Sequence, residues 1–184
     1  MGGDIGNSRI GIGIADADGL HSVRRLDARD DSALTTALQE TAALTQDARA
    51  RAIAIGSVNP PRTPAVQLLV QQICGSDSFR VRDDMPLPIE TDLDNEREVG
   101  IDRVCAAAAA FERIGSACTV ASFGTALTID CVSEEGKFLG GAILPGIDMS
   151  LIALHDRTAQ LPHVGSAAPT GACRCRSRPT PASN

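Results

Sequence analysis

A chain of 184 residues with 43% apolar and 22% charged side chains has the balance of one ordinary globular domain or two small ones. Its net charge of −6 argues against the basic stripe of a nucleic-acid surface, and four Phe with no Tyr or Trp argue against a base-stacking platform. Neither excludes a single nucleotide, which needs only a few local donors and a metal.

The chain opens on Asp4-Ile5-Gly6-Asn7-Ser8-Arg9, a Gly-Asn turn with an acid before it. Residues 10–14 alternate Ile and Gly, which is strand periodicity, and 20–26 can return as the next strand after the turn at 16–19. Asp31-Ser32 offers an N-cap for a helix over 33–50 with Leu34, Leu38 and Ala42 on one face. A short buried strand at 52–55 stops at Gly56-Ser-Val-Asn-Pro-Pro61. Thr63-Pro64 starts a helix that presents Val66, Leu69, Val70 and Ile73 together and ends at Gly75. Residues 79–82 read as a strand, 83–98 as an acidic polar stretch, and 104–111 as an Ala-rich helix. Strands at 118–122 and 126–132 flank Phe123-Gly124-Thr125, and a hairpin turn at 134–137 leads into a strand from Phe138. A helix over 148–158 carries Ile147, Leu151 and Leu154 as its apolar stripe. Each half thus opens with a strand, a Gly turn and a meander, which points to two copies of one α/β unit.

Cys74, Cys105, Cys118 and Cys131 lie in apolar stretches and read as small buried thiols. Without a C-x-x-C pair, a signal peptide or an apolar run of about 18 residues, the expectation is a reduced, cytoplasmic protein with no zinc and no membrane span. Residues 165–184 are rich in Arg, Pro and Ser and have no Leu, Ile, Val or Phe, so this tail, with Cys173 and Cys175, reads as disordered.

No P-loop, no dinucleotide fingerprint and no Gly-x-Ser-x-Gly elbow is present. Two turns and one acid–Arg pair remain. In Asp4–Arg9, Gly6 lets the backbone approach a phosphate, successive N–H groups can form an anion nest, and Asp4 can hold Mg²⁺ through water. By itself this segment fits an ordinary hairpin at least as well. Ser122-Phe-Gly124-Thr125-Ala126 repeats the device between two strands. Gly100-Ile101-Asp102-Arg103 opens a helix; there Asp102 is either a plain cap or an acceptor for a substrate proton.

Taken in order, Asp4–Arg9, Gly56-Ser-Val-Asn-Pro60, Gly100-Ile-Asp-Arg103, Gly124-Thr-Ala-Leu-Thr-Ile-Asp130 and Gly140-Gly-Ala-Ile-Leu-Pro-Gly146 resemble the type III pantothenate kinases over residues 4–164. The resemblance implies an α/β fold of two ribonuclease-H-like, actin-like ATPase halves: residues 1–112 with the first turn and the substrate motif, a partial second half at 113–164, and the tail at 165–184. It implies transfer of the ATP γ-phosphate to the hydroxyl of pantothenate, the first step toward coenzyme A, by a cytoplasmic homodimer. Mg²⁺ and a monovalent cation, K⁺ or NH₄⁺, would assist. Carried over, Asp4, Ile5, Gly6, Asn7, Ser8, Arg9, Ile10 and Gly11 look like the first ATP segment. Gly124 and Thr125 look like the second. Leu93, Gly100, Ile101, Asp102 and Arg103 look like the pantothenate contacts, with Asp102 as proton acceptor.

Three departures stand out. Ser122 holds the place of a cation-binding Asp, and Leu93 that of a pocket Tyr. After Pro162 the family's closing helices give way to the Arg/Pro/Ser tail, which reads as a truncated or out-of-frame ending and would leave apolar sheet surface exposed. Only Met1-Gly2-Gly3 precedes Asp4, so a weak first strand is expected. An active kinase, a non-catalytic nucleotide- or pantothenate-binding homologue, and a chain without a stable fold are the three readings left open.

Overall fold

The computed structural model describes residues 1–48 and 50–165, so the expected tail lies outside them apart from Gly165. Its elements follow the hydrophobic pattern. Strand β1 (Gly2–Ile5), β2 (Arg9–Asp16) and β3 (Gly19–Asp27) form an antiparallel meander. Helix α1 (Asp31–Leu44) begins where Asp30 accepts from the Ala33 N–H at 2.9 Å. It ends six residues before the expected stop, because beyond Leu44 the sequence to Arg51 offers no large apolar residue to keep a helical face buried. Strand β4 (Ala54–Ser57) returns parallel to β1, and helix α2 (Thr63–Cys74) closes on Gly75, whose φ of 62° is the left-handed cap conformation. Strand β5 (Phe79–Arg80) completes a five-stranded sheet of order β3-β2-β1-β4-β5.

The expectation of a weak first strand is corrected. β1 has four residues, is central, and pairs along its length with both β2 and β4. The Met1 ammonium adds a bond to the Ala52 carbonyl at 2.8 Å. One face of this sheet is Ile5, Ile10, Ile12 and Ile55, and it packs on Leu34 and Leu38 of α1 and Val66 and Val70 of α2 in one core.

The polar stretch 83–98 is not structureless. It holds the two-residue strand β6 (Glu90–Thr91) and a 3₁₀ turn at Glu96–Glu98 capped by Asn95. Helix α3 (Ile101–Ile114) follows, then β7 (Cys118–Phe123), β8 (Ala126–Val132) and β9 (Lys137–Pro145), and helix α4 (Ile147–Arg157). The second sheet has order β6-β9-β8-β7. Both β6 and α3, read from the sequence as belonging with the first half, lie on this second sheet: β6 pairs with β9, and Ile101, Val104 and Ala107 of α3 pack on Val132 and Phe138.

Helix α4 corrects the expected apolar stripe. None of its residues is buried, and Ile147 and Leu154 are 66% and 51% exposed. Of the four thiols expected inside, only Cys74 is buried; Cys105 and Cys118 are half-buried, and Cys131 on β8 is exposed. No helix among the described residues is long and apolar enough to cross a membrane.

Candidate functional site

The first turn is a two-residue hairpin with Asn7 and Ser8 at its tip. The Gly6 N–H donates to the Arg9 carbonyl at 2.9 Å, and a Cβ on Gly6 would stand 2.8 Å from that oxygen, so the close approach requires glycine. Two further bonds fix it. The Ala28 N–H donates to the Ser8 carbonyl at 3.0 Å, and Asn59 Nδ2 donates to the Gly6 carbonyl at 3.3 Å. The side chains of Asn7, Ser8 and Arg9 are exposed. Ile5 and Ile10 are each 1% exposed, so they can meet a ligand only through their backbone.

Asp4 lies one residue before the hairpin, on the sheet face opposite the core. It pairs with Gly11 on one side and Gly56 on the other, and Gly11 pairs with Arg25. Residues in one register share a face, so the carboxylate stands between two positions without side chains. Gly11 leaves room on one side of it, while the space over Gly56 is taken by Ile101. Asp4 stays exposed, and partial burial of its carboxyl pushes its pKa above the ordinary value; the negative charge of Asp102 adds to this and Arg25 opposes it.

Helix α3 brings Asp102 to the same cleft. Ile101 is 3% exposed and packs beside Gly56, 3.6 Å from where a Cβ would be, so its side chain anchors the helix and does not line an open pocket. Asp102 is exposed and lies in the first turn, where Oδ1 accepts from the Arg103 N–H at 2.9 Å; the N-cap itself is Gly100, which has no side chain to give a cap bond. That bond leaves Oδ2 free for a proton.

Arg103 does not point its fork into open space. Its Nε donates to both oxygens of Asp130, at 2.9 and 3.2 Å, and its Nη2 also meets Oδ1. Asp130 on β8 is 1% exposed, a buried charge that would be costly without this partner. Leu93 packs on the second core, with its methyl 3.2 Å from where a Cβ of Gly140 would be.

The second turn meets the first directly. Ser8 Oγ and Thr125 Oγ1 are 2.8 Å apart, a hydrogen bond between two residues 117 positions apart. In this turn the Gly124 N–H donates to the Ala126 carbonyl at 3.0 Å. The Gly146 N–H donates to the Thr125 carbonyl at 3.0 Å, and Gly146 presses against the turn with no room for a side chain. α4 starts at the next residue, so its first-turn amides, which lack partners inside the helix, begin beside the turn. Ser122 is exposed on β7 opposite Thr128.

Two hydroxyls bonded across two glycine turns, with Asp4 on the strand that carries the first turn and Asp102 near enough to Asp4 to act on its charge, suit a nucleotide and a divalent cation. Mg²⁺ takes one or two carboxylates and completes its shell with water and phosphate, and a carboxylate such as that of Asp4 has the donor chemistry it needs. Among the described residues no group of three or more His, Cys, Asp or Glu could hold a metal by itself.

Reading the residues in sequence missed several supports of this site. Asn59 and Asp130 both lie in motifs quoted above, but nothing in their spacing tells that one ties down Gly6 and the other holds Arg103. Arg25 had no local signal at all, since it reaches Asp4 only through the strand register.

The family described as type III pantothenate kinase matches residues 1–182. A type III pantothenate kinase of Persephonella marina is 40% identical over 110 residues, 60% of this chain and 43% of that protein. One of Geobacter sulfurreducens is 35% identical over 175 residues, 91% of this chain and 68% of its own length. The solved structure of the Aquifex aeolicus PPX-GPPA enzyme aligns at a TM-score of 0.47 with 12% identity, covering 83% of this chain and 54% of that one.

Proposed function

The chain belongs to the type III pantothenate kinase family, and from that premise we propose that it transfers the γ-phosphate of ATP to the terminal hydroxyl of pantothenate. The observation that carries the reading is the Ser8–Thr125 bond: it joins the two glycine turns over the cleft that holds Asp4 and Asp102. The turns supply backbone donors and hydroxyls to the phosphates. Asp4 would hold Mg²⁺ through water, and the bound ion would neutralise charge at the phosphates. Asp102 takes the hydroxyl proton as the oxygen–phosphorus bond forms and the bond to the bridging oxygen of ADP breaks. Gly100, Ile101, Arg103 and Leu93 shape the acceptor side, Arg103 through its hold on Asp130.

The reading extends to two ribonuclease-H-like halves, the second incomplete. The order β3-β2-β1-β4-β5 and the meander β7-β8-β9 support it, because each begins with a hairpin bearing a glycine turn. It also extends to a cytoplasmic homodimer and to a monovalent cation, K⁺ or NH₄⁺, at Ser122. A hydroxyl holds a hard cation less firmly than a carboxylate, so a shallow dependence on that salt is expected.

The test is a coupled kinase assay with pantothenate, Mg-ATP and either K⁺ or NH₄⁺. Asp102→Asn should cut turnover by about 100-fold or more while ATP affinity is kept. Turnover surviving in that variant overturns the proton-acceptor role. The occupied fork of Arg103 and the hydroxyl at Ser122 favour a second reading, a homologue that binds without catalysis. Calorimetric binding of ATP or pantothenate with no product formed would select it.

A further inference from the structure

Arg82 follows β5 in the loop to Met85, where its N–H donates to the Met85 carbonyl at 2.8 Å. Its φ is 83°, and among the described residues only Ser22 is another non-glycine with positive φ. A side chain held there costs about 1–3 kcal/mol, and such positions cluster at ligand sites. From this strained backbone the side chain crosses to the start of α3. Nη2 donates to the Val99 carbonyl at 2.7 Å, one residue before the Gly100 cap.

The rest of the guanidinium is not satisfied. Nε is buried without a hydrogen-bond partner, and no ion pair among the described residues involves Arg82. Arg103 is its opposite, since Asp130 takes its Nε and Nη2. One arginine at the head of α3 is thus neutralised inside the protein and the other has donors to spare. The charge of Arg82 also reaches the cleft. Burial first, then Asp4 and Asp102, push the Cys105 thiol up, and Arg82 opposes them.

We propose that Arg82 binds the carboxylate of the acceptor substrate and so orients the hydroxyl at its other end toward Asp102. A planar fork with a free Nε suits a carboxylate. The inference rests on the pantothenate reading and adds a specificity residue to it.

The experiment is calorimetry on the full chain with pantothenate and with pantothenol, in which an alcohol replaces the carboxylate. Arg82→Gly should weaken pantothenate binding tenfold or more and leave pantothenol within twofold. Its melting temperature should hold or rise, because glycine takes this φ without strain. Arg82→Lys, which keeps the charge and loses Nε, should fall between the wild type and the glycine variant for pantothenate alone, and serves if the glycine variant does not fold. Unchanged pantothenate binding in either variant, or equal loss of both ligands, overturns the inference and leaves the function standing. A wild-type chain that binds neither ligand overturns the function and this inference with it.

Discussion

The two sheets differ in how many of their faces are covered. The first has α1 and α2 against one face and α3 at the other, and its core joins buried residues from three strands and loops with both helices. The second has α3 on one face, where Val104, Ala107 and Phe138 are each 0% exposed. Beyond that face, Phe123, Ile143 and Ile147 are 77%, 63% and 66% exposed. Packing is thus as tight where it exists, and what differs is its extent. The site draws on both regions: the first turn hangs from a central, doubly paired strand, and the second from the β7–β8 hairpin at the edge of the thinner sheet. The Ser8–Thr125 bond and Gly146 are what tie that second turn down.

The largest effect expected is at Asp130, the charged residue most deeply buried in the thinner region among the described residues. Removing one partner of a buried ion pair costs about 3–5 kcal/mol, while replacing both with apolar residues is often neutral. Asp130→Ala should therefore lose about that much in urea unfolding, and Arg103→Met with Asp130→Leu should recover most of it. A loss below about 1 kcal/mol for Asp130→Ala would mean that water reaches the pair, and the inner face of the second sheet would then be as open as the outer one.

Next comes the first core. Leu38, 1% exposed, sits where α1 meets β2, and Leu→Ala in a core costs about 2–5 kcal/mol. A urea midpoint that barely moved would remove the contrast from this side, because the better-covered sheet would then be no better packed.

The first sheet gives up some stability at the site. The folded pKa of Asp4 is raised, by desolvation first and then by Asp102. A raised carboxyl stabilises the fold below its unfolded pKa, near 3.8, and that contribution is lost as pH rises through the raised value. Asp4→Asn should accordingly melt higher than the wild type at pH 7, with the gap closing as pH falls toward 3.8. The same variant should lose Mg-nucleotide binding. Melting curves from pH 3 to 8 check the sign; a gap that widened on acidification would reverse it.

Legibility follows the same division. Ile10, Ile12, Val66 and Val70 announce themselves by period and are buried as read, because each faces a partner within the first hundred residues. The stripe of α4 has the helical period of Val66 and Val70 and is uncovered, since periodicity marks an apolar face and not what lies against it. β6 escaped because Glu90-Thr91 is two polar residues, and its strand character comes only from pairing with Lys137 and Phe138. In the site, the turns and the Asp102–Arg103 pair could be read locally from glycine and charge. That Arg103 serves Asp130 while Arg82 keeps free donors could not, because both facts are set by contacts far along the chain.

The smallest effect is the most telling about the outer face of the second sheet. Ile143 projects from β9 at 63% exposure, so replacing it removes little buried area. Substitutions at such positions usually stay within about 0.5 kcal/mol. Ile143→Thr keeps the β-branched shape that suits a strand and removes only the apolar surface. Its urea midpoint should match the wild type at every protein concentration. If instead the variant lost about 2 kcal/mol or more, the size of a fully buried side chain, that face would be covered in solution. A midpoint that also rose with protein concentration in the wild type alone would identify the cover as a second copy of the chain, because only an associating partner makes stability depend on concentration. In that event the two sheets would differ in who covers them, and the second turn, at the edge of the covered face, would owe its position to the partner as well as to Ser8 and Gly146.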